Sequence, residues 1–161
     1  MNRKVMAVCF TVTTVAIMIA IFLFSSQNSN ESSDLSRGFI ESVISCIPTF
    51  KHITTEQKAT IVQYIHNFVR KTAHFSIYAA LGFSGAGMLG NYLPDMKKKY
   101  VYIFAVILCC MYAATDECHQ LFISGRSGEA RDVCIDTCGG AAGAAVYMLI
   151  WRIIHRIRIL N

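Results

Sequence analysis

DECHQLFISGRSGEARDVCIDTCGGAAG, residues 116–143, places Asp116, Glu117, His119, Gln120, Arg126, Glu129, Arg131, Asp132 and Asp136 between two apolar segments. The charge is concentrated here in a chain that is otherwise greasy. Over 161 residues, 54% are hydrophobic and 16% charged, which is more apolar surface than a soluble domain of this length ordinarily carries. Several apolar runs approach the ~20 residues that a helix needs to cross a bilayer. The expected fold class is all-α, an integral membrane bundle of four transmembrane helices with an external helical insertion between helices 1 and 2.

The same composition narrows the function classes. A formal charge of +5 fits the excess of Lys and Arg in cytoplasmic loops of membrane proteins. No basic stripe interleaved with aromatics is present, so no nucleic-acid partner is expected. Seven cysteines, most of them in apolar runs, read as small hydrophobes and not as a disulfide framework. Cys134 and Cys138 share a helical face, but the CxxC pairs of a structural zinc site are missing. No cofactor or metal is assigned from the sequence.

Outward from the polar stretch, the spans fall at about residues 5–24, 73–92, 100–117 and 133–154 of a single domain over 1–161, with residues 25–72 as the external segment. Arg3 and Lys4 precede the first span, whose length and lack of a small-x-small cleavage site make it an anchor and not a removed leader. Leu35, Phe39, Ile40, Val43, Ile44 and Ile47 lie on one helical face closed by Pro48, an amphipathic segment too short to span. Thr54, Thr55 and Glu56 mark a helix start. No Gly or Pro interrupts the chain from there to Gly82, so one long helix is expected to enter the membrane near Ala73. Its membrane part is rich in Gly82, Ser84, Gly85, Ala86, Gly87 and Gly90, residues that let backbones approach closely in lipid. Gly139 and Gly143 form a small-x-x-x-small pair of the same kind.

Lys97, Lys98 and Lys99 assign the loop before the third span to the cytoplasm, as Arg3 and Lys4 do for the N-terminus and Arg152, Arg156 and Arg158 for the C-terminus. The expected localisation is a bacterial cell membrane, multi-pass, with both termini cytoplasmic. Arg70, Lys71, His74, Tyr78, Asp116, Glu117, Gln120, Arg126, Asp132 and Asp136 then converge at the outer end of the bundle. Ionisable groups at membrane depth cost about 2.5–3.5 kcal/mol each on insertion scales, so they are expected to face inward and to be paired.

These residues also carry a resemblance. R-K-x-x-H-F-x-x-Y at Arg70 to Tyr78, D-E-x-x-Q at Asp116 to Gln120, and Arg126 followed by D-x-x-x-D-x-x-G-x-x-x-G at Asp132 to Gly143 resemble the VanZ-like family, as does F-S-S-Q at Phe24 to Gln27. Asp136 stands where that pattern often has Asn, which adds a charge. The resemblance implies a multi-pass bacterial membrane protein of a family named for a member that lowers susceptibility to the glycopeptide antibiotic teicoplanin.

Three readings of the polar cluster are open at this stage. It is a salt-bridge network that pins helix ends, with Arg70, Lys71, Arg126 and Arg131 nearly balancing Asp116, Glu117, Glu129, Asp132 and Asp136. Or it is a ligand site, formed by the ten residues named above, for an anionic lipid or a lipid-linked cell-wall precursor. Or it is an enzyme site on a lipid-linked phosphate or acyl group, with His74 as general acid or base, Glu117 or Asp116 as its partner, and Arg126 stabilising charge. The expected partners are the lipid bilayer and such an envelope lipid.

Overall fold

A computed structural model of the chain describes residues 2–26, 38, 54–123 and 129–160. Four helices account for nearly all of them: α1 (Arg3–Ser25), α2 (Thr55–Tyr92), α3 (Lys98–Gln120) and α4 (Ala130–Leu160). No strand occurs among the described residues. The amphipathic segment expected at 35–47 lies, apart from Gly38, outside them, as do Gln27, Pro48 and Arg126.

Each helix has a local cause. The Asn2 side chain caps α1 by accepting the Lys4 N–H at 3.1 Å. Thr11, Thr13 and Thr14 turn their hydroxyls back onto the carbonyls of Ala7, Cys9 and Phe10, so no hydroxyl in this apolar run is left to face lipid unpaired. Thr54 and Gln57 form a reciprocal capping box, with the Thr54 hydroxyl accepting the Gln57 N–H at 3.3 Å and the Gln57 side chain accepting the Thr54 N–H at 3.1 Å. From that cap α2 continues unbroken for 38 residues, a rod of roughly 57 Å at 1.5 Å per residue. Replacing Thr54 with Ala is expected to remove about 1 kcal/mol from this helix end. Amide hydrogen exchange should then quicken over residues 55–58 and stay unchanged beyond Ala73.

The helices run alternately up and down, and contacts at the two ends fix the order. At one end Arg3 Nη2 donates to the Gly90 carbonyl at 3.4 Å, and the Lys98 ammonium sits 4.6 Å over the Trp151 ring. At the other, Ser26 Oγ lies 3.2 Å from His119 Nε2, and Lys71 reaches Asp132. Central α2 packs on all three neighbours and most extensively on α4. That contact is made of glycine. A Cβ on Gly82 would run into the Gly140 carbonyl, one on Gly139 into the Phe75 carbonyl, and one on Gly143 into the Ala79 carbonyl. The small-x-x-x-small pair is thus a backbone-to-backbone helix contact, as its spacing implied.

Above and below this seam the core is conventional. Ile21, Tyr78, Leu81, Cys109 and Ala113 cluster in one half, and Ala86, Ala105 and Ala144 in the other. Phe10 and Phe83 each meet Tyr147 edge to face, at 5.8 and 5.5 Å between ring centres, and are tilted against each other at 6.3 Å. Val8, Val12, Ile19, Ile107, Met111, Val146 and Leu149 point outward, an apolar coat suited to lipid.

The expectation of four transmembrane helices is met in part. Three helices, α1, α3 and α4 up to Ile157, are long and apolar enough to cross a membrane by length and composition. α2 falls short because Gly, Ser and His74 dilute its apolar residues. α2 is also the helix that packs on all three others, where small residues permit close approach.

Candidate functional site

The site forms where α2, α3 and α4 meet at the end of the bundle that carries Gln120 and Ala130. α2 supplies Arg70, Lys71, His74 and Tyr78, and the four-residue steps from 70 to 74 to 78 stack three of these on one face. The glycine seam presses that face against α4. Asp132 and Asp136 occupy the first two turns of α4, where the positive end of the helix dipole favours a carboxylate. The last turn of α3 brings Asp116, Glu117 and Gln120, all three buried.

Distances divide the site into a mouth and an interior. At the mouth Lys71 Nζ donates to Asp132 Oδ1 at 2.8 Å, while Arg70 Nη2 stands 3.7 Å from Asp132 Oδ2. Both cations share one carboxylate. Their side chains are a third or more exposed, so each such pair contributes only about 0–1 kcal/mol to stability. In the interior Gln120 Nε2 donates to Asp116 Oδ2 at 3.0 Å, and the Glu129 backbone N–H donates to Glu117 Oε2 at 2.8 Å. That last bond ties the end of α3 to the start of α4. His74 Nδ1 lies 3.6 Å from Asp136 Oδ2, an ion-pair approach too long for a hydrogen bond. Asp136 is 1% exposed, and neither of its carboxylate oxygens has a hydrogen-bond partner among the described residues.

Nine of the ten sequence-assigned ligand residues come together here, and the tenth, Arg126, lies outside the described residues. The near-neutral balance drawn from charge counting does not carry over to them. Arg131 is exposed, and Arg70 and Lys71 are both spent on Asp132. Asp116, Glu117 and Asp136 therefore have no Lys or Arg partner among the described residues. Among the described residues the interior is acidic, and Arg70 and Lys71 stand at its entrance. A shallow cleft opens between them, lined by Arg70, Lys71, His74, Asp132, Ile135 and Asp136.

Other positions were not singled out by sequence. Tyr112 packs its ring 6.4 Å from Tyr78 and donates its hydroxyl to the Met18 carbonyl, which fastens α3 to α1 one turn before Asp116. Its four-residue step to Asp116, and from there to Gln120, was the available signal. Tyr78 is fully buried. His119 joins α1 through Ser26 and stacks on Phe22 at 4.7 Å. Cys134 and Cys138 are exposed and stand apart from the cleft residues.

A model of the VanZ/LLP1 family matches residues 10–152. The chain belongs to the VanZ/LLP1 family. The match reaches from α1 to the late turns of α4 and includes every site residue named above, so the cluster is part of the family domain and not an addition to it. With three helices apolar enough to cross a bilayer, the chain is a membrane protein of VanZ type. No curated protein and no solved structure matches it.

Proposed function

We propose that this VanZ-type protein sits in the bacterial cell membrane with both termini cytoplasmic. Its outward-facing cleft binds the phosphate-bearing headgroup of an envelope lipid or lipid-linked wall precursor, and so changes how teicoplanin meets its target. One observation carries the reading: Arg70 and Lys71, both partly exposed, share the single carboxylate of Asp132 at the rim of the cleft. A phosphate arriving from the membrane surface can take over one of these cations without leaving a buried charge unpaired. Orientation is supported by Arg3, Lys97, Lys98, Lys99, Arg152 and Arg156, which fall toward the opposite end of the bundle, where a cytoplasmic surface would collect them. α2 makes the fourth crossing, running between the other three with its glycine face covered by α4.

The test is binding to protein held in nanodiscs. A short-chain polyprenyl diphosphate and phosphatidylglycerol should each bind more tightly than a zwitterionic lipid. Lys71→Gln removes one charge-assisted hydrogen bond, a loss of about 1.5–3 kcal/mol and so roughly 10- to 100-fold in affinity. Equal binding of charged and zwitterionic lipids, or a Lys71→Gln protein that binds like wild type, would sink the proposal.

A second reading is favoured by His74, which stands between the basic mouth and the carboxylates of Asp116 and Asp136. An imidazole oriented by a carboxylate beside a phosphate subsite suits general acid–base hydrolysis or transfer. Here Asp136, 3.6 Å from His74 Nδ1, and Asp116 are the carboxylates beside the imidazole. Release of product from a labelled lipid precursor by purified protein, lost in His74→Gln, separates this enzyme from a binder.

A further inference from the structure

We propose that His74, Asp116 and Asp136 form a binding site for one divalent transition-metal ion of the Zn²⁺ or Mn²⁺ class, at the inner end of the cleft. The three residues come from three helices, α2, α3 and α4, and one donor atom of each lies within 4.8 Å of the others. Donors sharing a tetrahedral ion at about 2.0–2.2 Å are ~3.3–3.6 Å apart, so side-chain movements of about an ångström close this set around a metal.

Burial separates these residues from an ordinary acidic surface cluster. Asp116 is 5% exposed and Asp136 1%. Among the described residues, Arg70 and Lys71 are engaged with Asp132, and both Asp136 oxygens lack a hydrogen-bond partner. A carboxylate at such depth is stabilised either by taking up a proton or by a compensating positive charge. A divalent ion shared with Asp116 supplies it for both groups at once.

Tyr78 is an independent pointer to the same place. It lies one turn beyond His74 on α2, is fully buried, and its hydroxyl has no hydrogen-bond partner among the described residues. That hydroxyl is within electrostatic reach of Asp116 and Asp136. A phenol so placed can serve a metal-bound water or the ion itself. Gln120, which donates to Asp116 Oδ2 at 3.0 Å, has the geometry of an outer group that orients a ligating carboxylate.

The donor set selects the metal. One imidazole with two carboxylates suits zinc or manganese, whereas calcium takes six to eight oxygens and magnesium retains most of its water. Three protein ligands leave coordination positions open toward the cleft, the arrangement of sites that keep a place for water or substrate. The metal site does not depend on the headgroup reading. If both hold, a phosphate at Arg70 and Lys71 adjoins the ion.

The test uses full-length, tag-free protein in detergent, stripped with EDTA and then equilibrated with Zn²⁺ or Mn²⁺. Mass spectrometry of the elements gives the stoichiometry, and the electron paramagnetic resonance of Mn²⁺ gives the affinity. About one ion per chain is expected for wild type, matching one set of three ligands. Asp136→Asn and His74→Gln are each expected to weaken Mn²⁺ binding by more than the roughly 10- to 100-fold typical of losing an outer-shell group. His74 is the safer change, being the least buried ligand, so it carries the comparison if Asp136→Asn fails to fold. The proposal is overturned if wild type holds no ion above the buffer control, or if folded His74→Gln binds as wild type does. Lipid binding measured in EDTA is scored separately, so failure of the metal site and failure of headgroup binding are distinguishable.

Discussion

Gly143→Ala is expected to be the most damaging single methyl that can be added to this protein. In an isolated helix the change would stabilise by about 1 kcal/mol, because alanine is the better helix former. Here the new Cβ would enter the Ala79 carbonyl of α2, which is backbone and cannot rotate away. α2 and α4 must separate along the whole seam, opening the contacts at Gly82 and Gly139 as well. Overpacking of this kind costs about 1–3 kcal/mol, and a backbone clash belongs at the upper end or beyond. For a chain of this size that is a fall of roughly 6–12 °C in melting temperature. Gly85→Ala is the control, since its Cβ would meet only the Leu108 side-chain methyl at 3.2 Å, which can shift. The measurement is the fraction remaining monodisperse after heating in detergent. A Gly143→Ala protein as stable as Gly85→Ala would show that the seam is not what holds the bundle.

Removing the Glu117 carboxylate should have the second largest effect, and two substitutions separate its causes. Glu117→Ala deletes the acceptor of the Glu129 N–H. A hydrogen bond to a charged group contributes about 1.5–3 kcal/mol, so the junction between α3 and α4 should loosen and membrane abundance should fall. Glu117→Gln keeps the length and one acceptor oxygen but discards the charge, so the fold should persist. In a sensitive Gram-positive host, wild type is expected to lower teicoplanin susceptibility, and Glu117→Gln at equal abundance is expected to lose that protection. If the Gln protein vanishes from the membrane, the carboxylate is structural. If it protects fully, the acidic interior is not where function resides. And if wild type gives no protection, the antibiotic property that names the family does not extend to this chain.

The two predictions differ in how much of their basis was visible in sequence. Glu117 was marked by its company, DExxQ at the end of an apolar run, and by the cost of charge at membrane depth. Its partner, a backbone N–H twelve residues later, carries no side-chain signature and could not be found that way. The glycines were visible as close-packing residues. Which helix each one meets was not, because a small residue advertises room and says nothing of what fills it. The capping box at Thr54 and Gln57 was half visible, in the Thr–Thr–Glu start. The unbroken helix after it followed from the absence of Gly and Pro.

Charge counting is silent about how the charges pair. It treated Arg70, Lys71, Arg126 and Arg131 as four equivalent cations at the cluster. A sum over residues cannot register that Arg70 and Lys71 both turn to Asp132, or that Arg131 points to the outside. The expectation of four spans is met by three helices, α1, α3 and α4, that are apolar enough to cross a membrane, since small residues placed for close helix contact lower the apolar content of α2.

By itself the sequence determined the class of molecule, helices for a bilayer, because apolar length and the loss of water as a hydrogen-bond partner leave a chain few alternatives. It also determined that the polar groups belong to one end, since their places along successive antiparallel helices are fixed by counting residues. Only the tertiary structure decided which carboxylates are paired and which stand unpaired beside His74 and Tyr78. That choice rests on the rotation of each helix about its own axis. The rotation is set by backbone contacts at Gly82, Gly139 and Gly143, where differences of an ångström, invisible in a linear pattern, select one partner over another.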